Sequence, residues 1–515
     1  MPPPPNTPQP APSPRAPLFH LGHPDAHVPK FVPPDTASPP LTPIRLAIFI
    51  LCAVFTAFLG LYFDGLAATA ATPQVPLLWS LPFLLLLVCI ATMPFAAQHF
   101  WEKHYHHVAI ALALLVAGYY LFGLHAARSM AKNLGEYISF IFLLGSLFTV
   151  SGGILIRVRR KATPQVNVAL LLAGALLANV FGTTGAAMLL IRPYLHINKA
   201  HLRPYHIVFF IFLVANVGGS LTPIGDPPLF LGYLKGVPFW WVAQHCWPMW
   251  LVAVGLLLIL FFIFDTRAHA AQPRHHHDSH DAGPAISIFG LSNLLLVIAI
   301  LAGILLHEQL LHLVHIPWRE LIMTAAVAIS LAITPQRIHI DNVFNFAPIR
   351  EVAFLFLGIF ATMVPALNYL SNHANDAAFR NYLHTPGQFY YQCGTLSSVL
   401  DNAPTYLTFL QTEIAKRDNA PPAIAAAPIP GQSTIPALLA DQSFTWRLIA
   451  ISLASVFFGA MTYIGNGPNF MVKSIAAHAN APTPSFFQYL YRFSLPILLP
   501  ILILIWALFL LPHPA

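Results

Sequence analysis

Two short segments carry chemistry that is out of place in apolar sequence: GSLTPIGDPPLFL at Gly219–Leu231 and GAMTYIGNGPNFM at Gly459–Met471. The first offers the Thr222 hydroxyl, the Gly225 carbonyl and the Asp226 carboxylate; the second offers Thr462, the Gly465 carbonyl, Asn466 and Asn469. Two further clusters, Asn179 with Thr183 and Thr184, and Asp401 with Asn402, add hydroxyl, amide and carboxylate oxygens. Carbonyl, hydroxyl, amide and carboxylate oxygens are the ligands that small hard cations take. Asp226 and Asp401 stand deep in apolar surroundings, where charge is expensive. A carboxyl group taken out of water favours its neutral form, so it can hold a proton until a cation displaces it. Competition between proton and cation for one carboxylate is the simplest mechanism of antiport. Asp226 before Pro227, and Asp401 three residues before Pro404, also suit helix N-caps, and capping can coexist with ligation.

The elements that must position these groups are broken helices. The two segments lie 240 residues apart and share six of thirteen aligned positions, among them Gly225/Gly465 and Pro228/Pro468. Gly and Pro there interrupt a membrane helix where its backbone bonding should be best, and irregular backbone at that depth survives only if protein buries it or it lines a wet cavity. Matching interruptions in two halves of a chain point to the binding site of a transporter built from internal repeats. At each break, carbonyls and N–H groups are freed near the bilayer midplane.

Composition places the chain in a membrane. Of 515 residues, 57% are hydrophobic and 8% charged, against about a quarter charged in ordinary soluble domains. The apolar runs are near the length that crosses ~30 Å of hydrocarbon. The fold class expected is an all-α polytopic membrane protein with about eleven transmembrane helices and two re-entrant hairpins, in inverted repeats with two broken helices. Residues 1–43, with sixteen prolines, form a disordered tail; residues 44–264 form the first membrane half, with its hairpin at 166–196 and broken helix at 206–232. A His-rich loop at 265–285 leads to the second half at 286–511, with its hairpin at 388–412 and broken helix at 447–473. No cleavable signal peptide is visible at the N-terminus, and the first span would serve as the insertion signal.

Orientation follows from Lys and Arg. With Arg157-Val158-Arg159-Arg160-Lys161 inside, 17 of the 25 basic residues fall on the cytoplasmic side and eight outside, Arg128 and Lys132 among the latter. The N-terminus is then cytoplasmic, the protein multi-pass in the plasma (inner) membrane, and the two halves inverted. The net charge of +7 sits in short loops, so lipid rather than nucleic acid is the partner.

Other candidates are weaker. Cys52, Cys89, Cys246 and Cys393 have no metal or disulfide spacing. His275–Asp281 reads as a solvated low-complexity loop more readily than a metal-binding one. His307-Glu308 and His312 fail the metalloprotease pattern, because histidines five apart lie about 140° apart around a helix. Lys473 suits a snorkelling anchor, and Arg350-Glu351 an interfacial pair. No enzyme and no resident cofactor is expected; sodium and protons would be cargo.

TPIGDPP at 222–228, TYIGNGPN at 462–469 and LDNAP at 400–404 resemble the ion transporter superfamily. That group includes NhaD-type sodium/proton antiporters, arsenite pumps, citrate–metal transporters and divalent-anion/sodium symporters. The likeness covers roughly residues 44–511 and is greatest to NhaD-type antiporters and citrate-transporter-like proteins. It implies a scaffold domain and a transport domain, a homodimer, and a substrate held between hairpin tips and broken helices. It implies Thr183, Thr184, Gly225 and Asp226 on one side of the site, and Asp401, Asn402, Gly465 and Asn466 on the other. The dicarboxylate symporters carry a Ser-Asn-Thr triplet at both tips, which this chain lacks. Arsenite and NhaD-like members tend to carry an acid in the first tip, where this chain has Gly182-Thr183-Thr184-Gly185. A sodium/proton antiporter is therefore the leading expectation, and a symporter of citrate or a related carboxylate the alternative. An uncoupled channel or scaffold comes third.

Overall fold

A computed structural model describes residues 43–67, 73–158, 162–270, 286–309, 316–342, 344–373, 383–417 and 435–513. The Pro-rich segment 1–42, the His-rich stretch 275–281 and His312 lie outside the described residues. The first half contains α1 (Pro43–Ala67), α2 (Leu81–Ala96), α3 (Gln98–Gly118), α4 (Ala127–Gly152), α5 (Pro164–Asn198), α6 (Pro204–Leu213), α7 (Pro227–Leu234) and α8 (Trp241–Ala270). The second contains α9 (Ser292–Gln309), α10 (Trp318–Ile333), α11 (Gln336–Asp341), α12 (Ala347–His373), α13 (Pro386–Val399), α14 (Asn402–Arg417), α15 (Gln442–Gly459), α16 (Gly467–His478) and a last helical run, α17 (Phe486–Leu510). Eight helices among the described residues are long and apolar enough to cross a bilayer, so the chain is a multi-pass membrane protein. Leu51, Phe55, Leu78 and Leu84 on α1 and around α2 are exposed, as a lipid-facing surface requires.

One short strand pair accompanies the otherwise helical fold. Leu155–Val158 and Ile286–Phe289 form two strands, β1 and β2, paired antiparallel with Leu155 opposite Phe289. The second membrane half, expected to begin at residue 286, therefore opens on a strand. A four-residue apolar run cannot be told from a helix by periodicity alone, and here Gly290, at φ 77°, separates strand from helix. The pair joins the end of α4 to the start of α9. Asn342 clasps the same region, its Nδ2 donating to the carbonyls of Gly152 (2.9 Å) and Ile154 (2.7 Å).

α5 is not one rod. Gly182 adopts φ 74° and ψ 158°, and the chain folds back on itself there. The Asn167 side chain donates to Asn198 at 2.8 Å across 31 residues, which a straight helix would hold about 46 Å apart. A Cβ on Gly174 would stand 3.1 Å from Leu190 Cδ1, so positions equally far from Gly182 touch. α13 and α14 make the second hairpin around Leu400-Asp401. Phe389 and Phe409 meet edge to face with centroids 6.3 Å apart, and Lys416 reaches the Leu383 carbonyl. Both hairpins open with Thr-Pro: Thr163 and Thr385 cap their first helices by accepting from Val166 N (3.3 Å) and Gln388 N (3.2 Å). The backbone of Gly182 suits glycine alone. Gly182→Ala is expected to lower stability by about 1–3 kcal/mol, read as an earlier thermal transition in detergent; an unchanged transition would show the turn to be tolerant.

Packing divides the helices into two sets. α1–α4 and α9, α10 and α12 pack mainly among themselves, while α5–α8 and α13–α17 form the other set. The sets meet where α4 lies against α5 and α7, and where α12 lies against α14. Within the second set the halves interlock, α7 against α14 and α16 against α5, so each hairpin packs on the other half's broken helix. The open end of each hairpin is tied to the helix after it. In the first half Asp265 accepts from Asn167 (2.9 Å) and from the Tyr205 hydroxyl (2.7 Å). In the second, Arg447 donates to Glu413 (2.7 Å), Ser443 (3.1 Å) and the His384 carbonyl (3.2 Å). A buried polar group is tolerated only when bonded, and these ties fasten hairpin and broken helix as one body.

Arg157 pairs with Asp341 at 2.7 Å, and Lys235 pairs with Glu136 at 2.6 Å.

Candidate functional site

The site is built from two interruptions. Between α6 and α7 the backbone leaves the helix over residues 214–226, and between α15 and α16 over 460–466. A Cβ on Gly225 would collide with the Gly219 carbonyl, and one on Gly465 with that of Gly459. Each break therefore crosses itself at a glycine pair, which is why this pair recurs in both segments.

Freed backbone groups in an apolar interior must find partners, and most of the polar residues singled out in the sequence supply them. Asn179 Nδ2 donates to the Gly218 carbonyl (2.7 Å) while its Oδ1 accepts from Leu221 N (2.9 Å). The hydroxyl of Thr222 donates to the Asn179 carbonyl at 2.6 Å and accepts from Gly225 N at 3.1 Å. Thr462 repeats that clasp in the second half, donating to the Ser398 carbonyl at 2.6 Å and accepting from Gly465 N at 3.2 Å. The Gly225 carbonyl accepts from Thr183 N at 2.8 Å. Asn469 Nδ2 serves the carbonyls of Gly459 (2.8 Å) and Thr462 (2.9 Å). Trp250 Nε1 caps Gly218 (2.9 Å) and the Tyr489 hydroxyl caps Ala460 (2.8 Å), one aromatic from the helix following each break.

Asp226 is different. It is fully buried, and although it occupies the N-cap position of α7 its side chain makes no capping bond. Its carboxylate accepts instead from the Thr183 hydroxyl at 2.7 Å, from Asn466 Nδ2 at 3.0 Å and from Asn402 Nδ2. Those donors come from the first hairpin tip, the second break and the second hairpin, so four elements converge on one acid. All three are neutral. Two half-helices, α7 and α16, begin beside it, and α14 begins at Asn402, so the positive ends of helix dipoles also face the carboxylate. Asn402 is itself fully buried, and its Oδ1 has no hydrogen-bond partner.

Asp401, half-buried, does behave as a cap: its Oδ1 accepts from Ala403 N at 3.1 Å. It is followed directly by Asn402, whose Nδ2 reaches Asp226. Thr184 is half-buried at the first tip. Lys473 Nζ lies over the Tyr463 ring, 4.4 Å from the centroid. The four cysteines are free.

Sequence reasoning passed over Asn216. This fully buried amide accepts from Asn466 (3.2 Å) and donates to Asn469 (2.6 Å) and the Ile211 carbonyl (2.9 Å). It ties the ligand of Asp226 to the amide that serves the second break. The available signal was a lone amide at the end of an apolar run, just before Gly218-Gly219.

A helical membrane protein with two helical hairpins and two broken helices closing on a buried acid has the architecture of a secondary transporter. Over residues 72–510 the chain matches the family described as "Putative citrate transport", and it belongs to that family. No curated protein matches it.

Proposed function

We propose that the protein is a cation/proton antiporter that exchanges sodium for protons by alternating access. One observation carries this reading: the fully buried Asp226 carboxylate has only neutral donors from three other elements. A carboxylate without a basic partner in an apolar interior holds either a proton or a metal cation. The orphaned Oδ1 of Asn402 and the second acid, Asp401, supply further oxygen ligands for a hard cation. The two hairpins are re-entrant, the halves are inverted about eleven spans, and the tail faces the cytoplasm. α5–α8 and α13–α17 move as the transport body against the rest, in a homodimer.

The family match favours a second reading, in which citrate or a related carboxylate is carried with coupling cations. With one acid at the first break and one at the second tip, an anion enters that site only beside a cation that screens them. Vesicle assays separate the readings. Sodium-dependent collapse of an imposed pH gradient without any carboxylate supports antiport. Uptake of labelled citrate with no sodium–proton flux in its absence supports symport and removes the first reading.

A further inference from the structure

α7 is a half-helix with the buried acid at one end and an ion pair at the other. Lys235 closes it nine residues after Asp226, about 13 Å along the helix. Its Nζ donates to both carboxylate oxygens of Glu136 on α4, at 2.6 and 2.8 Å. This pair joins the two helix sets, whereas Arg447–Glu413 and His206–Asp265 each lie within the second. The Lys235 and Glu136 side chains are 16% and 10% exposed, so salt screens their attraction only in part.

Two neighbouring ties between the sets stand at the same level. The Tyr233 hydroxyl donates to the Ile304 carbonyl of α9 at 3.3 Å. α7 and α14 start together, with Asn402 Nδ2 on Asp226, and run side by side, since a Cβ on Gly232 would strike the Tyr406 hydroxyl. Gln411, nine residues after Asn402, donates to Ser371 Oγ of α12 at 2.9 Å. At the first tip, by contrast, α4 presents a group that ties nothing. A Cβ on Gly185 would stand 2.8 Å from Ser151 Oγ, which has no hydrogen-bond partner. Glu136 lies fifteen residues back along α4 from Ser151, about 22 Å away. These ties fasten the sets to one side of the Asp226 site.

We propose that Lys235 and Glu136 form a latch that holds the transport body against α4 in this arrangement and opens each time the body moves. The latch rests on the two sets moving against each other, as stated above, whichever ion is carried. An N–H···O bond is lost once donor and acceptor part beyond about 3.5 Å. A shift of a few ångströms between α7 and α4 therefore breaks both bonds of the pair. Leaving this arrangement costs the pair's attraction, and returning to it recovers that attraction.

The test uses the full chain in lipid nanodiscs with sodium present. Cys52, the exposed native cysteine, is replaced by Ser, and dyes are placed on Lys103→Cys of α3 and Thr266→Cys of α8, exposed positions with one in each set. Single-molecule energy transfer then reads how long each molecule dwells at the distance of this structure. Glu136→Gln and Lys235→Gln should each shorten that dwell about threefold or more, and the exchanged pair Glu136→Lys/Lys235→Glu should lengthen it again. Wild-type dwell in both single variants overturns the latch, even if their thermal transitions fall, because a merely structural pair would move only the transitions. Should a lone charge prevent folding, Glu136→Gln/Lys235→Gln, which leaves none, decides: wild-type dwell overturns the latch and a shorter dwell supports it. A wild type that never leaves one distance defeats the movement of the two bodies, and the latch with it. Transitions with unaltered dwell defeat the latch alone.

Discussion

Asp226→Asn is expected to abolish coupled transport in a chain that still folds. The carboxylate accepts three hydrogen bonds, and an amide of the same shape has one acceptor oxygen and one NH2 group. At least one of Thr183, Asn402 and Asn466 would then face a donor, and the charge that holds proton or cation would be gone. Removing one member of a buried, hydrogen-bonded charged set costs about 2–5 kcal/mol, a fall of roughly thirty- to several-thousand-fold. Transport by purified protein in vesicles, at matched reconstitution, measures it. Wild-type flux from Asp226→Asn would remove the carboxylate from the mechanism. Asp401→Asn should cost less, because an amide oxygen can still accept from Ala403 N as the carboxylate does.

The second large effect is on stability, at the open end of the other hairpin. Glu413 and Arg447 are both buried, and the pair closes at 2.7 Å. Glu413→Ala would strand the guanidinium in a dry setting and should destabilise by about 3–5 kcal/mol. The double replacement Glu413→Leu/Arg447→Met removes both charges and should recover most of that loss, since apolar groups of similar volume often substitute well for buried ion pairs. Thermal unfolding in one detergent compares all three. A Glu413→Ala variant as stable as wild type would show that the tie between hairpin and broken helix is not held by this pair.

Much of this architecture was legible because backbone chemistry in a membrane is unforgiving. Gly225 and Gly465 mark the helix breaks, since two strands of backbone cross there without room for a side chain. Gly182 marks the hairpin tip for a related reason: no other residue takes its dihedral angles without strain. The strand pair β1–β2 was not legible, because four apolar residues beside a span look like more of the span. Asn216 was missed because its value comes from Asn466 and Asn469, some 250 residues away.

The polar residues themselves divide in a way that types and spacing could not foretell. Asn179, Thr222, Thr462 and Asn469 could each have been ion ligands by composition, yet each donates to backbone carbonyls at or beside the breaks. Asp226 and Asp401 both looked like caps or ligands; the fold makes Asp401 a cap and leaves the Asp226 side chain, at the N-cap position of α7, bonded to other elements. By itself the sequence determined that the chain lies in a membrane, where its helices break, and that an oxygen-rich, acid-bearing site accompanies the breaks. Apolar length and the position of Gly and Pro act locally, so a linear string records them. Only the tertiary structure decided which oxygens are used up and which acid is left for chemistry. A hydrogen bond saturates its partners, and those partners arrive from the opposite half of the chain.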